Sequence, residues 1–129
     1  FRGRALISAN LSRLTREVVS LSTKNLFGLI PDPARYGKWH GENDALLPQS
    51  ILDINKIYRS LFEPCFWLNE VKDRKLLIGC ENSVLADAVA AKIMGVDPKK
   101  IPYLQLASEV FGGYDETLIT KSLKELEQS

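Results

Sequence analysis

The sequence is poor in the residues that hold metals. It has one histidine, His40, and two cysteines, Cys65 and Cys80, in 129 residues. One histidine excludes a His-rich metal site within the chain. Two cysteines with one histidine cannot build a four-cysteine iron–sulfur site or a structural zinc site alone. Fourteen residues separate the cysteines and there is no C-x-x-C spacing. They read either as a disulfide, which a chain of this length does not require, or as two reduced, partly buried thiols in a cytoplasmic protein. No run approaches the ~18 consecutive apolar residues of a membrane span, and no signal peptide is visible. The phosphate-loop patterns G-x-G-x-x-G and G-x-x-x-x-G-K are absent, as are the G-x-S-x-G hydrolase elbow and the zinc motif H-E-x-x-H. A Ser–His–Asp triad therefore has little support.

What is present is ordinary globular material: 45% hydrophobic and 26% charged residues, with a net charge of +1. That composition fits one domain, residues 1–129, and argues against disorder or a coiled coil. The small net charge hides an asymmetry. Residues 1–40 hold seven Lys or Arg against Glu17 and Asp32, a local +5, while the remainder carries −4. This points either to a part that faces an anion or to solvated faces that attract each other. Nucleic acid is a poor partner, because there is no basic run and the aromatic residues do not interleave with the basic ones.

Along the chain, Ala5-Leu6-Ile7 predicts the end of a strand. Leu11, Leu14, Val18 and Leu21 recur at helical spacing, with Asn10 or Ser12 as a cap and Gly28 near the end. Residues 31–45 are rich in Pro, Gly, Asp and Asn and predict a loop. A helix begins near Pro48 with Ile51, Ile54, Ile57, Tyr58 and Leu61 on one side, and Pro64 stops it. Cys65–Arg74 has no clean period. Lys75–Ile78 predicts a strand closed by Gly79. Residues 83–94 predict a helix capped by Asn82 and terminated by Gly95. Two more helices follow, from Pro102 through residue 111 and over residues 115–127 with Asp115 as cap. This order predicts an α/β fold, a mixed or parallel sheet with flanking helices. Sites in such folds lie outside the carboxyl ends of the strands, here residues 8–12 and 79–83.

One carboxylate stands out. On a helical wheel the segment from Ser83 to Met94 is apolar in nearly every direction, and Asp87 and Lys92 are its only charges. Such a helix is buried. Lys92 can snorkel from near the end, but Asp87 is short and cannot. A buried carboxylate needs a partner. It is either a ligand-facing acid–base group or a structural group bonded to loop amides or to a basic residue. His40, in a polar loop beside Trp39, is an acid–base candidate or a surface residue. Lys24-Asn25 would present an ammonium and an amide at a helix end. Asp53 is a ligand-binding candidate or a favourable charge near a helix N-terminus.

Three segments carry a family resemblance: SLSTKNLFGLIPDPARYGKWH (residues 20–40), LPQSILDIN (residues 47–55) and LADAVAAKIMGVDPKKIPYLQLASEVFGG (residues 85–113). Together they resemble the prokaryotic "domain of unknown function 362" family, some members of which carry ferredoxin-type iron–sulfur modules elsewhere in the chain. The resemblance implies an α/β domain of a cytoplasmic or redox-associated protein and implies no reaction. The polar positions of its pattern fall on Lys24, Asn25, His40, Asp53 and Asp87. The chain departs from the family twice. The Lys-Thr-His-like element after the first strand is replaced by SANLSRLTRE. The glycine-rich acidic stretch before the KLLI-like strand is replaced by FEPCFWLNEVKDRK. With the start at Phe1, these departures predict either a compact variant or an incomplete copy of the family domain.

The resulting expectation is a crevice lined by Lys24, Asn25, His40 and Asp87 that binds a small anionic ligand or a substrate carboxylate. Lys24 would supply charge, Asn25 orientation and His40 proton transfer, while Asp87 would position Lys24 or His40. The alternative is a scaffold that docks an iron–sulfur protein or another subunit through an exposed apolar patch near Phe66 and Trp67.

Overall fold

The computed structural model describes residues 4–15, 18–31 and 35–128. Arg2, Arg16, Glu17 and Asp32, which contribute to the charge of the N-terminal part, lie outside those residues. The strands are β1 (Leu6–Leu11), β2 (Arg13–Thr15) and β3 (Val18–Ser20). A short helix α1 (Ser22–Asn25) then runs into a 3₁₀ turn (Leu26–Leu29) and is followed by α2 (Arg35–Lys38) and α3 (Leu47–Leu61). The rest is β4 (Cys65–Val71), β5 (Leu76–Cys80), α4 (Ser83–Ile93), α5 (Pro102–Phe111) and α6 (Glu116–Glu127). This is an α/β fold with a mixed sheet of order β1-β4-β5, and β2 and β3 form a separate hairpin.

β1 pairs parallel to β4, with Leu6 opposite Cys65 and Leu11 opposite Glu70. β5 pairs antiparallel to β4, with Trp67 opposite Cys80. Because β5 runs backwards, residues 79–83 sit at the end of the sheet opposite the carboxyl end of β1. Only the Ser8–Ser12 half of the expected site region is at the carboxyl end of the parallel pair.

The helix expected from Leu11 to Leu21 is instead the end of β1 and the β2–β3 hairpin. Its leucines do not share a face: Leu21 is buried, whereas Leu11 and Leu14 are exposed. Cys65–Val71, without a clean period in the sequence, is the central strand. In α3 the buried stripe is Leu47, Ile51, Leu52 and Asn55, and Ile57 turns to solvent. The later strand is shifted, since β5 runs through Gly79, which pairs with Leu68, and Lys75 sits in the turn before it at φ +51°. The later helix expectations hold closely. The Asn82 side chain accepts from the Val84 and Leu85 amides, Gly95 has φ +79°, and Asp115 caps α6 by accepting from the Thr117 amide.

The core lies on one side of the sheet. α4 packs against β4 and β5 and in turn contacts α1, α5 and α6. Its small residues Ala86, Ala88, Ala90 and Ala91 are all buried, so the helices around it come close. Leu104 on α5 is fully buried, and truncating it to alanine would cost about 2–5 kcal/mol. The other face of the sheet is uncovered among the described residues. Ile7 (65% exposed), Leu77 (64%), Leu11 and Phe66 project from it, and the Phe66 ring lies across Gly79, where a Cβ would come within 2.7 Å of the ring. Trp67, expected in this patch, points the opposite way and is buried, with the Arg59 guanidinium 4.4 Å from its ring centre.

Candidate functional site

At the carboxyl end of β1 the chain leaves the sheet, makes the β2–β3 hairpin and returns as Leu21-Ser22-Thr23-Lys24-Asn25. The first amides of a helix have no acceptor inside it. Leu21, at the cap position of α1, offers no side-chain acceptor. Asp87 supplies it from α4. Its Oδ1 accepts from the Ser22 amide (3.1 Å) and the Ser22 hydroxyl (2.6 Å), and its Oδ2 from the Thr23 amide (3.0 Å). Asn69 on β4 completes the arrangement: its Nδ2 donates to Asp87 Oδ1 (2.8 Å) and its Oδ1 accepts from the Ser22 amide (2.9 Å). Asp87, Asn69, Ser22 and Thr23 are all fully buried. Burial pushes the Asp87 carboxyl above the ordinary carboxylate range, and the donors from Ser22, Thr23 and Asn69 oppose that rise.

Further bonds tie the same segment from other sides. Ser8 Oγ donates to the Ser22 carbonyl (2.9 Å) and Asn10 Nδ2 to the Ser20 carbonyl (3.0 Å). Asn55 Nδ2 donates to the Thr23 carbonyl (2.8 Å), and the Tyr103 hydroxyl to the Val19 carbonyl (2.8 Å). Asn25 Nδ2 reaches Ser8 Oγ (3.2 Å) and the Ala9 carbonyl (3.1 Å). β1, α3, β4, α4 and α5 therefore all hold one short stretch of backbone.

In front of that stretch is a crevice of about 210 Å³, whose polar lining is Asn10, Arg13, Ser20, Lys24, Asn25 and His40. Phe27 and Gly28 complete the wall. Lys24 Nζ donates to Ser20 Oγ (3.1 Å). Its pKa is lowered, first by burial and then by the positive charge of Arg13, while Asp44 acts the other way. His40 Nδ1 is 2.7 Å from Asp44 Oδ1, and the ring stands edge-on to Phe27 with centroids 5.2 Å apart. Two cations are thus held near each other in a partly dehydrated cleft, with one carboxylate behind the histidine. An anion placed there relieves the repulsion between them and gains charge-assisted hydrogen bonds.

Of the residues singled out from the sequence, Lys24, Asn25 and His40 line this one crevice. Asp87 does not line it. Its hydrogen bonds go to Ser22, Thr23 and Asn69 and none to Lys24 or His40, which corrects the expectation that it orients either side chain directly. It fixes the backbone from which Lys24 and Asn25 project. Asp53 is also elsewhere, exposed on α3, where it accepts from Gln49 Nε2 (2.9 Å). Asn10 falls within the residues 8–12 expected to flank a site, whereas the sequence does not single out Arg13 and Ser20 as crevice residues or Asn69 as a brace. The alternation of Ile7, Ala9 and Leu11 with Ser8 and Asn10 was the available signal. It places both polar side chains on one face of a strand.

Among the described residues, no group of three or more His, Cys, Asp and Glu is placed to hold a metal ion. Cys65 and Cys80 are both free thiols, on neighbouring strands. Burial raises the Cys65 thiol, and Arg59 acts against that rise. No described helix is long and apolar enough to cross a membrane. No family model, curated protein or solved structure matches the chain.

Proposed function

We propose that this chain is a ligand-binding α/β domain that holds a small anion, a carboxylate or phosphate group, in the Arg13–Lys24–His40 crevice. The observation that carries this reading is the convergence of Arg13 and Lys24 on one cleft whose backbone is braced by the buried Asp87 carboxyl. Position supports it as well, since the crevice opens at the carboxyl end of β1, where α/β sheets place their ligands. In this reading Lys24 and Arg13 supply charge, Arg13 as a planar two-pronged donor. Ser20 and Asn10 give orientation, and His40 is the group through which a proton would move. The resemblance to the domain of unknown function 362 family would place such a domain in a redox-associated prokaryotic protein.

Calorimetric titration with inorganic phosphate tests the reading. Saturable binding that falls about tenfold or more in Lys24→Met and in Arg13→Met is expected, each variant losing one charged partner. No saturable binding, or binding indifferent to both substitutions, would overturn it.

A second reading, a docking module for another subunit, rests on the uncovered sheet face. A sheet is stable when an apolar layer covers it, and Ile7 and Leu77 are among the most exposed large hydrophobic residues described. An iron–sulfur protein as that subunit follows from the resemblance alone. Sedimentation of wild type and Ile7→Lys/Leu77→Lys distinguishes the readings: docking predicts an assembly that the double variant abolishes, and a lone monomer at every concentration with any subunit tested speaks against it.

A further inference from the structure

We infer that the ligand of the crevice is an amphiphilic anion, with its charged head at Lys24 and Arg13 and an apolar body in the groove on the other side of Arg13. The inference rests on the anion-site reading and deepens it. The crevice of about 210 Å³ is below the ~300–1,000 Å³ of typical small-molecule sites, which leaves room for a head group and little more. A second hollow of about 540 Å³ lies beside it, and Arg13 is a wall of both.

The chemistry of the second hollow differs from that of the first. Its apolar lining is Leu11, Leu14, Val71, Ile93 and Met94, contributed by β1, β2, β4 and the C-terminal end of α4. Leu14 is 54% exposed and Leu11 43%, so aliphatic surface is open to water directly beside a cationic crevice. Lys72 and Arg74 stand at its rim on an exposed turn, with Asp73 between them. The hollow's three cations, Arg13, Lys72 and Arg74, surround an aliphatic floor. An alkyl or aryl body would cover the leucines and leave the rim charges in water.

The test compares inorganic phosphate with n-hexyl phosphate by calorimetry on the whole chain, reading the ratio of the two affinities. Hexyl phosphate is expected to bind about tenfold or more tightly, because several methylene groups leave water. Leu14→Ser and Met94→Glu are each expected to bring that ratio toward one. Leu14 is exposed, so Leu14→Ser tests the groove even where Met94→Glu perturbs folding. If phosphate binds in an Arg13-dependent way and the hexyl chain adds nothing, this inference is overturned and the anion site stands. A hexyl gain that survives both substitutions overturns the placement of the tail. If neither compound binds, the anion-site reading fails and this one with it.

Discussion

Two polar clusters lie back to back at the carboxyl end of β1, one around Asp87 and one around Lys24. They use their hydrogen-bonding capacity in opposite ways. The Asp87 carboxyl takes four donations from Ser22, Thr23 and Asn69 in a site closed to water. Lys24 spends one bond on Ser20, and Arg13 makes no ion pair among the described residues. A polar group whose capacity is filled internally stabilises the fold. One whose capacity is partly unfilled in a cleft is available to a ligand. The difference separates two roles that a list of buried or charged residues would merge: Asp87 sets the backbone, and Lys24 and Arg13 meet the anion.

The largest effect is expected for Asp87→Ala. It leaves the Thr23 amide and the Ser22 hydroxyl without their acceptor in a buried place and takes one of two acceptors from the Ser22 amide and from Asn69 Nδ2, at a cost of about 3 kcal/mol or more, read as a fall in the urea midpoint. A variant of near wild-type stability would break the comparison, because the buried cluster would then not be a brace. Asp87→Asn keeps the volume but turns an NH₂ toward these donors, and about 2 kcal/mol is expected.

The same pair sharpens the pH dependence. The Asp87 carboxyl has a raised pKa in the folded protein, so the native state holds its proton to higher pH than the unfolded chain does. Its contribution is full below the unfolded value of about 3.9 and is lost as pH rises through the folded value. The stability gap between wild type and Asp87→Asn, measured by urea titration from acid to neutral pH, is expected to narrow as pH rises. A gap that widened instead would contradict the raised pKa.

On the open side, phosphate affinity is expected to fall as pH rises through the lowered Lys24 pKa. Arg13 and Asp44 both face the Lys24 ammonium, and Asp44 pairs with His40. Lys24→Met removes this alkaline limb, as calorimetry over the alkaline range would show. The smallest effect is expected at Asp53. It is exposed and bonded to Gln49, so Asp53→Ala changes stability by about 0.5 kcal/mol or less and leaves phosphate binding unaltered. A loss of binding there would move the site away from the crevice.

How much of this was legible in the sequence differs by element. α4 was readable because several signals agree: Asn82 caps it, Gly95 ends it, and Asp87 is a lone acid among alanines and valines. The wheel identifies Asp87 as buried, yet it carries no information on the partners, since Ser22 is 65 residues away and Asn69 is 18. The Leu11–Leu21 spacing imitates a helix only because β1, the hairpin and the return to α1 each contribute a leucine or valine at a chance interval. β4 is unreadable by alternation because each of its faces mixes apolar and polar residues, Asn69 with Trp67 and Val71 on one and Glu70 with Phe66 and Leu68 on the other. Trp67 and Val71 enter the core, while Phe66 lies on the open face. Arg13 is legible as charge but not as a crevice wall, because the helical spacing of Leu11, Leu14, Val18 and Leu21 hides the hairpin that aims it. The open apolar face was expected near Phe66 and Trp67, and period 2 separates them: adjacent residues on a strand point to opposite faces.

The division between brace and binding site is tested most directly by amide NMR during a titration with inorganic phosphate. Saturable shifts are predicted at Asn10, Arg13, Ser20, Lys24, Asn25, Gly28 and His40, with the same perturbation lost in Lys24→Met while the spectrum stays folded. Shifts that do not saturate, that centre away from these residues, or that persist unchanged in Lys24→Met would contradict it.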